Sequence, residues 1–177
     1  LKTLDTPNVE TIGQQAFQPC TGLTELNFPK CTTVEVNVFA SCNGVKKVNF
    51  PVLKTAGSGF FNSMTGLQTF YAPELERLEN QALYYCSAVT RAEFFKLTYI
   101  GTNAFNQCQK IATLIIRTPS LCSLANTNGL INSGISKGTG YVYVPAALVD
   151  EYKVVAIWTT SASQIRAIED CPEITGG

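Results

Sequence analysis

A 22-residue pattern with no insertions dominates this chain and leaves it few folds to choose from. The aromatic Phe17 recurs as Phe39, Phe61, Leu83 and Phe105. Three residues on, a sulfur side chain recurs as Cys20, Cys42, Met64, Cys86 and Cys108. Further apolar columns follow: Leu23, Val45, Leu67, Val89 and Ile111, then Leu26, Val48, Phe70, Ala92 and Leu114, then Phe28, Phe50, Ala72, Phe94 and Ile116. Ahead of the aromatic run Ile12, Val34, Ala56, Leu78 and Ile100. Self-similarity at a fixed period of this length means a solenoid, because one repeat cannot bury its apolar face alone and stacked neighbours can.

Within the unit, Leu23-x-x-Leu26-x-Phe28 ending at Pro29 reads as a short strand with Leu26 and Phe28 inward. Pro29, Pro51 and Pro73 close it, since proline cannot donate to a ladder. From Gly13 to Cys20, the positions Ala16, Phe17 and Cys20 have helical spacing, which predicts one to two helical turns. The Phe column predicts a buried aromatic spine.

The motifs IGQQAFQPCTGLTELNFP at 12–29 and IGTNAFNQCQKIATLII at 100–116 resemble the BspA-like leucine-rich-repeat family of bacterial and protozoan surface proteins. The segment GTGYVYVPAALVDEYKVVAIW at 138–158 resembles the closing segment of that family in gut bacteria and their phages. The expected fold is therefore α/β: a right-handed leucine-rich-repeat solenoid with a parallel β-sheet on one face and short helical turns on the other. Two units depart from the pattern, with Glu35 and Val38 in the second and Phe60 and Met64 in the third. The resemblance implies binding or adhesion outside the cell or at its surface. It brings no catalytic residues.

In chain order, residues 1–8 read as the strand half of an earlier repeat, since Leu1, Leu4 and Pro7 precede Leu23, Leu26 and Pro29 by 22. This predicts an array that begins mid-unit. Regular repeats cover 9–117, and an irregular sixth, with a Gly/Asn/Ser-rich loop, covers 118–145. Together 1–145 make the solenoid. The expected C-terminal cap and tail are 146–177: a short amphipathic helix from Ala146 to Lys153, Trp158 covering the last coil, and a tail from Cys171 that frays or links onward.

Thirteen basic and thirteen acidic residues leave no net charge and no footprint for nucleic acid. Charged residues are 15% of the chain, against about 25% in an ordinary globular domain. Polar surface must come from Asn, Gln, Ser and Thr, as suits a secreted or displayed protein. No apolar run is long enough to span a membrane, and no signal segment stands at the start.

Seven cysteines would suggest disulfides in a small secreted protein, but four of them share one column. Parallel side chains on stacked coils stay about 4.8 Å apart, whereas a disulfide needs about 3.5–4.5 Å between Cβ atoms. Cys20, Cys42, Cys86 and Cys108 are thus expected to be thiols packed as small hydrophobes, and Cys31 an interior residue of the Val9, Leu53, Leu75 and Leu97 column. With no histidine and no C-x-x-C, no metal site or cofactor is expected. The acidic group Glu74, Glu76 and Glu79 reads as solvated charge, and Lys137-Gly-Thr-Gly lacks the form of a phosphate loop. An enzyme is not expected.

Two outward columns flank the strand. One is Glu25, Lys47, Thr69, Arg91 and Thr113; the other is Asn27, Asn49, Tyr71, Glu93 and Ile115. Lys47, Tyr71, Arg91 and Glu93 are the candidate binding residues, an aromatic flanked by long charged side chains. The alternative for this surface is a solvated sheet face with cross-strand charge pairs. A second candidate patch is Tyr84 and Tyr85 on the opposite side. The expected function is a non-enzymatic recognition module for a host protein or glycan, monomeric, with contacts possible through the uncapped first coil. The alternative is a structural spacer that holds another domain of a larger surface or phage protein.

Overall fold

The structure is a computed structural model and describes residues 2–175. Each coil carries two short strands. They are β1 (Thr3–Asp5) and β2 (Thr11–Ile12), β3 (Glu25–Asn27) and β4 (Thr33–Val34), β5 (Lys47–Asn49) and β6 (Thr55–Ala56). The next coils add β7 (Thr69–Tyr71) and β8 (Arg77–Leu78), β9 (Arg91–Phe94) and β10 (Tyr99–Ile100), β11 (Thr113–Ile116) and β12 (Ser123–Leu124). The pairings are parallel, and through the regular coils they keep the 22-residue register: Leu26 lies beside Leu4 and Val48, and Val34 beside Ile12 and Ala56; the irregular coil shifts it, with Tyr99 beside Ser123 and Thr113 beside Tyr141. The solenoid with its parallel strands is as the sequence predicts. The expected half repeat begins at Leu1, which lies outside the described residues, but its strand is present as β1.

The first strand of each coil builds one face and the second strand builds another. The second face is a single six-stranded sheet from β2 to β12. The first face is two four-stranded sheets, β1-β3-β5-β7 and β9-β11-β13-β14, the latter completed by β13 (Tyr141–Val144) and β14 (Ile165–Ala167). The break falls beside Phe70, a large half-buried ring in a column otherwise filled by Leu26, Val48, Ala92 and Leu114.

The third side differs from its expectation. Gly13–Cys20 and its successors are not helical; they are consecutive tight turns. Gln15, Asn37, Gly59, Gln81 and Asn103 all have φ between 54° and 67°. Ser41, Ser63, Tyr85 and Gln107 follow with φ between 59° and 66°. A left-handed residue every few positions turns alternate amides outward. Phe39 N–H donates to Phe60 O of the next coil (3.3 Å) and Phe61 N–H to Ala82 O (2.7 Å), while Ala40 N–H and Cys42 N–H close turns on Asn37 O and Phe39 O. Both sets of backbone groups are satisfied without a helix. Gly59 suits its place twice over: φ is +67°, and a Cβ there would lie 1.9 Å from Asn37 Oδ1.

Between the faces lies one apolar core. Phe17 and Phe39 stack at 5.3 Å and Phe28 and Phe50 at 4.9 Å, which forms the expected aromatic spine. Cys31, Leu53, Leu75 and Leu97 are fully interior. The sulfur column is held by weak hydrogen bonds: the Cys42, Cys86 and Cys108 thiols donate to Phe17 O, Phe61 O and Leu83 O, each at 3.0 Å. In the irregular coil, Leu130 takes the Phe position and is buried, at the end of a 3-10 turn Thr127–Leu130 capped by Asn126.

The closing segment follows Pro145. A 3-10 turn Ala146–Leu148 leads into α1 (Val149–Val154), then a 3-10 helix Thr159–Gln164 leads into β14, which adds to the first face beside β13. Tyr152 and Trp158 are fully buried and meet edge to face at 5.1 Å. The Trp158 indole N–H donates to Cys122 O (2.8 Å), and Cys122 N–H donates to the Tyr152 hydroxyl (2.8 Å). One residue of the last coil thus has both backbone groups taken by Tyr152 and Trp158. The tail does not fray over its described length. Ile168–Asp170 form a 3-10 turn, Cys171 is buried, and α2 (Pro172–Thr175) follows; Gly176 and Gly177 lie outside the described residues.

Candidate functional site on the strand face

The outward side of the first face divides in two. Over β1, β3, β5 and β7 it is an open trough of about 750 Å³. Its floor and walls include Asp5, Glu25, Asn27, Lys47, Asn49 and Tyr71. Period-two alternation turns these side chains out while Leu26 and Val48 turn in. The Glu25 and Lys47 charges are 3.8 Å apart and both well exposed, a loose pair in water. Tyr71 is 54% exposed. It also lines an adjoining hollow of about 180 Å³ with Phe70, Arg91, Glu93 and Phe95.

Over β9, β11 and β13 the face is covered. The tail crosses it, and Cys171 packs with Ile115, Tyr143 and Ile168. Ile115, expected to point to solvent, is fully buried for this reason. Glu173 then reaches β9 and β11: Arg91 Nε donates to Glu173 Oε2 (2.7 Å) and Thr113 Oγ1 to Glu173 Oε1 (2.9 Å). Arg91 also donates to Glu93 Oε2 (2.7 Å), and Arg117 donates to the other Glu93 oxygen. Partial burial works to raise the Glu93 pKa, but the hydrogen bonds from Arg117 and Arg91 outweigh it and hold that carboxyl below the ordinary range.

Of the four residues singled out from the sequence, Lys47 and Tyr71 stand in the open trough. Arg91 and Glu93 stand at its end, engaged with each other and with the tail. Tyr84 and Tyr85 sit on the turn side with ring centroids 6.0 Å apart, the first half-buried and the second exposed. Sequence reasoning passed over Asp5, Asn27 and Asn49, which form a hydrogen-bonded row along the trough. Their shared column was visible; their mutual bonding follows only from the register. Among the described residues no group of His, Cys, Asp and Glu is placed to hold a metal ion, and no helix is long and apolar enough to cross a membrane.

The sequence profile of the BspA type leucine rich repeat region matches residues 1–125 in 6 copies. Among solved structures, a leucine-rich repeat protein from Bacteroides ovatus ATCC 8483 superposes with a TM-score of 0.63 at 18% identity, over 95% of this chain and 48% of that one. At that identity the likeness is one of fold, and this chain spans under half the length of the other. No curated protein matches. With the repeat profile over most of its length and six stacked coils to fit it, the chain belongs to the BspA-type leucine-rich-repeat family.

Proposed function

We propose that this chain is an extracellular, non-enzymatic recognition module that binds a host protein or glycan on the open half of its strand face. The family's repeat is a protein-interaction scaffold; the added claims are the face, the setting and the partner. One observation carries the reading: Tyr71 stands more than half exposed at the junction of two adjoining hollows. An aromatic of this size is normally drawn into contact, and tyrosine is enriched among residues that dominate binding energy. Lys47 and Tyr71 are the contact residues. Arg91 and Glu93 form the rim, because their charges are already matched and changing them would also disturb the tail.

The test is a screen of the purified chain on arrays of extracellular proteins and glycans, followed by Tyr71→Ala and Lys47→Ala. Tyr71→Ala is expected to weaken binding by about 1–2 kcal/mol with melting unchanged, since an outward ring is not core. Binding that survives both changes at full strength would remove this face. No binding on any array would favour the spacer.

A further inference from the structure

The side-chain row along the trough narrows the partner, on the reading just given that this face binds. Asp5 carboxylate accepts only, so Asn27 must turn its amide NH₂ toward it, and Asn27 Nδ2 donates to Asp5 Oδ1 at 2.8 Å. The Asn27 carbonyl oxygen then faces β5, and Asn49 Nδ2 donates to it at 2.7 Å. The acid at one end therefore fixes the orientation of every amide in the row. Asn49 Oδ1 is left at the head of the row, with no protein donor among the described residues, and Tyr71 is the next residue in register.

Such a row offers alternating fixed donors and acceptors one coil apart, about 4.8 Å. Hydroxyl groups on a sugar, each both donor and acceptor, match that series. The C–H faces of a sugar ring carry partial positive charge and suit the negative face of the Tyr71 ring. Charge agrees: Glu25 and Lys47 offset one another, so the trough has no basic cluster for a sulfated or phosphorylated ligand. Size suits a small ligand: three interstrand steps by three residues make a floor of about 14 by 10 Å, and the volume of about 750 Å³ falls in the range of about 300–1,000 Å³ usual for small-ligand sites.

We propose that the trough binds a neutral oligosaccharide, laid across β1, β3, β5 and β7, with one ring stacked on Tyr71 and hydroxyls of the others bonded to Asn49, Asn27 and Asp5. The experiment titrates the whole chain calorimetrically with cellohexaose, maltohexaose, mannohexaose and xylohexaose, beside an array of extracellular-matrix proteins. At least one hexaose is expected to bind, with affinity falling about tenfold or more in Tyr71→Ala and in Asn49→Ala. Tyr71→Phe, which keeps the stack, and Tyr85→Ala, on the turn side, are expected to hold near the parent affinity. Absence of hexaose binding overturns the carbohydrate proposal. If a matrix protein then binds and is lost in Tyr71→Ala, the recognition face stands without the sugar. A hexaose bound equally by parent, Tyr71→Ala and Asn49→Ala overturns both.

Discussion

Replacing Trp158 by Ala tests how the solenoid is closed. The indole is fully buried against Tyr152 and donates to Cys122 O at 2.8 Å. Truncating a buried Trp or Phe to Ala costs about 3–5 kcal/mol, and the stranded Cys122 carbonyl adds to that. Total stability of a domain is about 5–15 kcal/mol, so Trp158→Ala should bring the chain close to unfolding at room temperature. Two milder changes separate packing from hydrogen bonding. Trp158→Phe keeps most of the ring and leaves the Cys122 carbonyl unpartnered; Tyr152→Phe keeps the ring and strands the Cys122 N–H. Each should cost about 1–3 kcal/mol, the desolvation penalty of one buried polar group. Because both act on Cys122, the double variant should deviate from additivity. Urea unfolding followed by circular dichroism reads the parent and the four variants. A loss under 1 kcal/mol in Trp158→Ala would refute the cap, as would full additivity of the two Phe changes.

Alkaline pH should destabilise the protein through its sulfur column. Burial pushes the Cys42 thiol up to about 11 and the Cys108 and Cys122 thiols up to about 12, whereas unfolded thiols ionise near 8.5. The raised folded values mean that stability is complete below about pH 8.5 and is lost as pH climbs toward 11–12, at about 2 kcal/mol per thiol by pH 10. A flat unfolding profile from pH 8 to 10 would contradict this, and Cys108→Ala should show a shallower alkaline limb than the parent. Glu173→Ala should cost under about 1 kcal/mol, since both partners are partly exposed, yet should speed amide exchange across residues 171–174 while leaving β5 unchanged. Unaltered exchange there would show that Glu173 does not hold the tail.

The repeat made much of this fold legible. Phe39, Phe61 and Phe105 point to the core because stacking leaves identical positions no other place, and the register follows from the period alone. The second sheet was harder to read. Thr11-Ile12, Thr33-Val34 and Thr55-Ala56 alternate outward and inward as a strand should, but two residues are too few for a period to declare itself. The turn side reads as helical in the sequence because Ala16, Phe17 and Cys20 have spacings that a pair of tight turns also produces. The deciding feature is the left-handed backbone at Gln15, Asn37 and Gln81, which Gln and Asn permit without announcing. The path of the tail was invisible, since Glu173 meets Arg91 across 82 residues and no local pattern encodes such a contact.

The outward column nevertheless carried the division of the face in its composition. Asp5, Asn27 and Asn49 are polar and can stand in water, and their half of the face is open. Ile115 and Tyr143 occupy the same column farther along, and there the tail covers them. An apolar side chain on the outer face of a solenoid strand costs free energy unless something buries it, so a change from Asn to Ile within one column signals a covering segment. The two strand-face sheets part between β7 and β9, where the column passes from Tyr71 to Glu93. Tyr71 is the last outward residue before the cover begins, and the only large ring in the column left in the open among the described residues. The Glu173–Arg91 contact lies one coil beyond Tyr71, and Tyr71 and Arg91 line the same small hollow. The same contact that closes one half of the face therefore sets the boundary of the half proposed to bind.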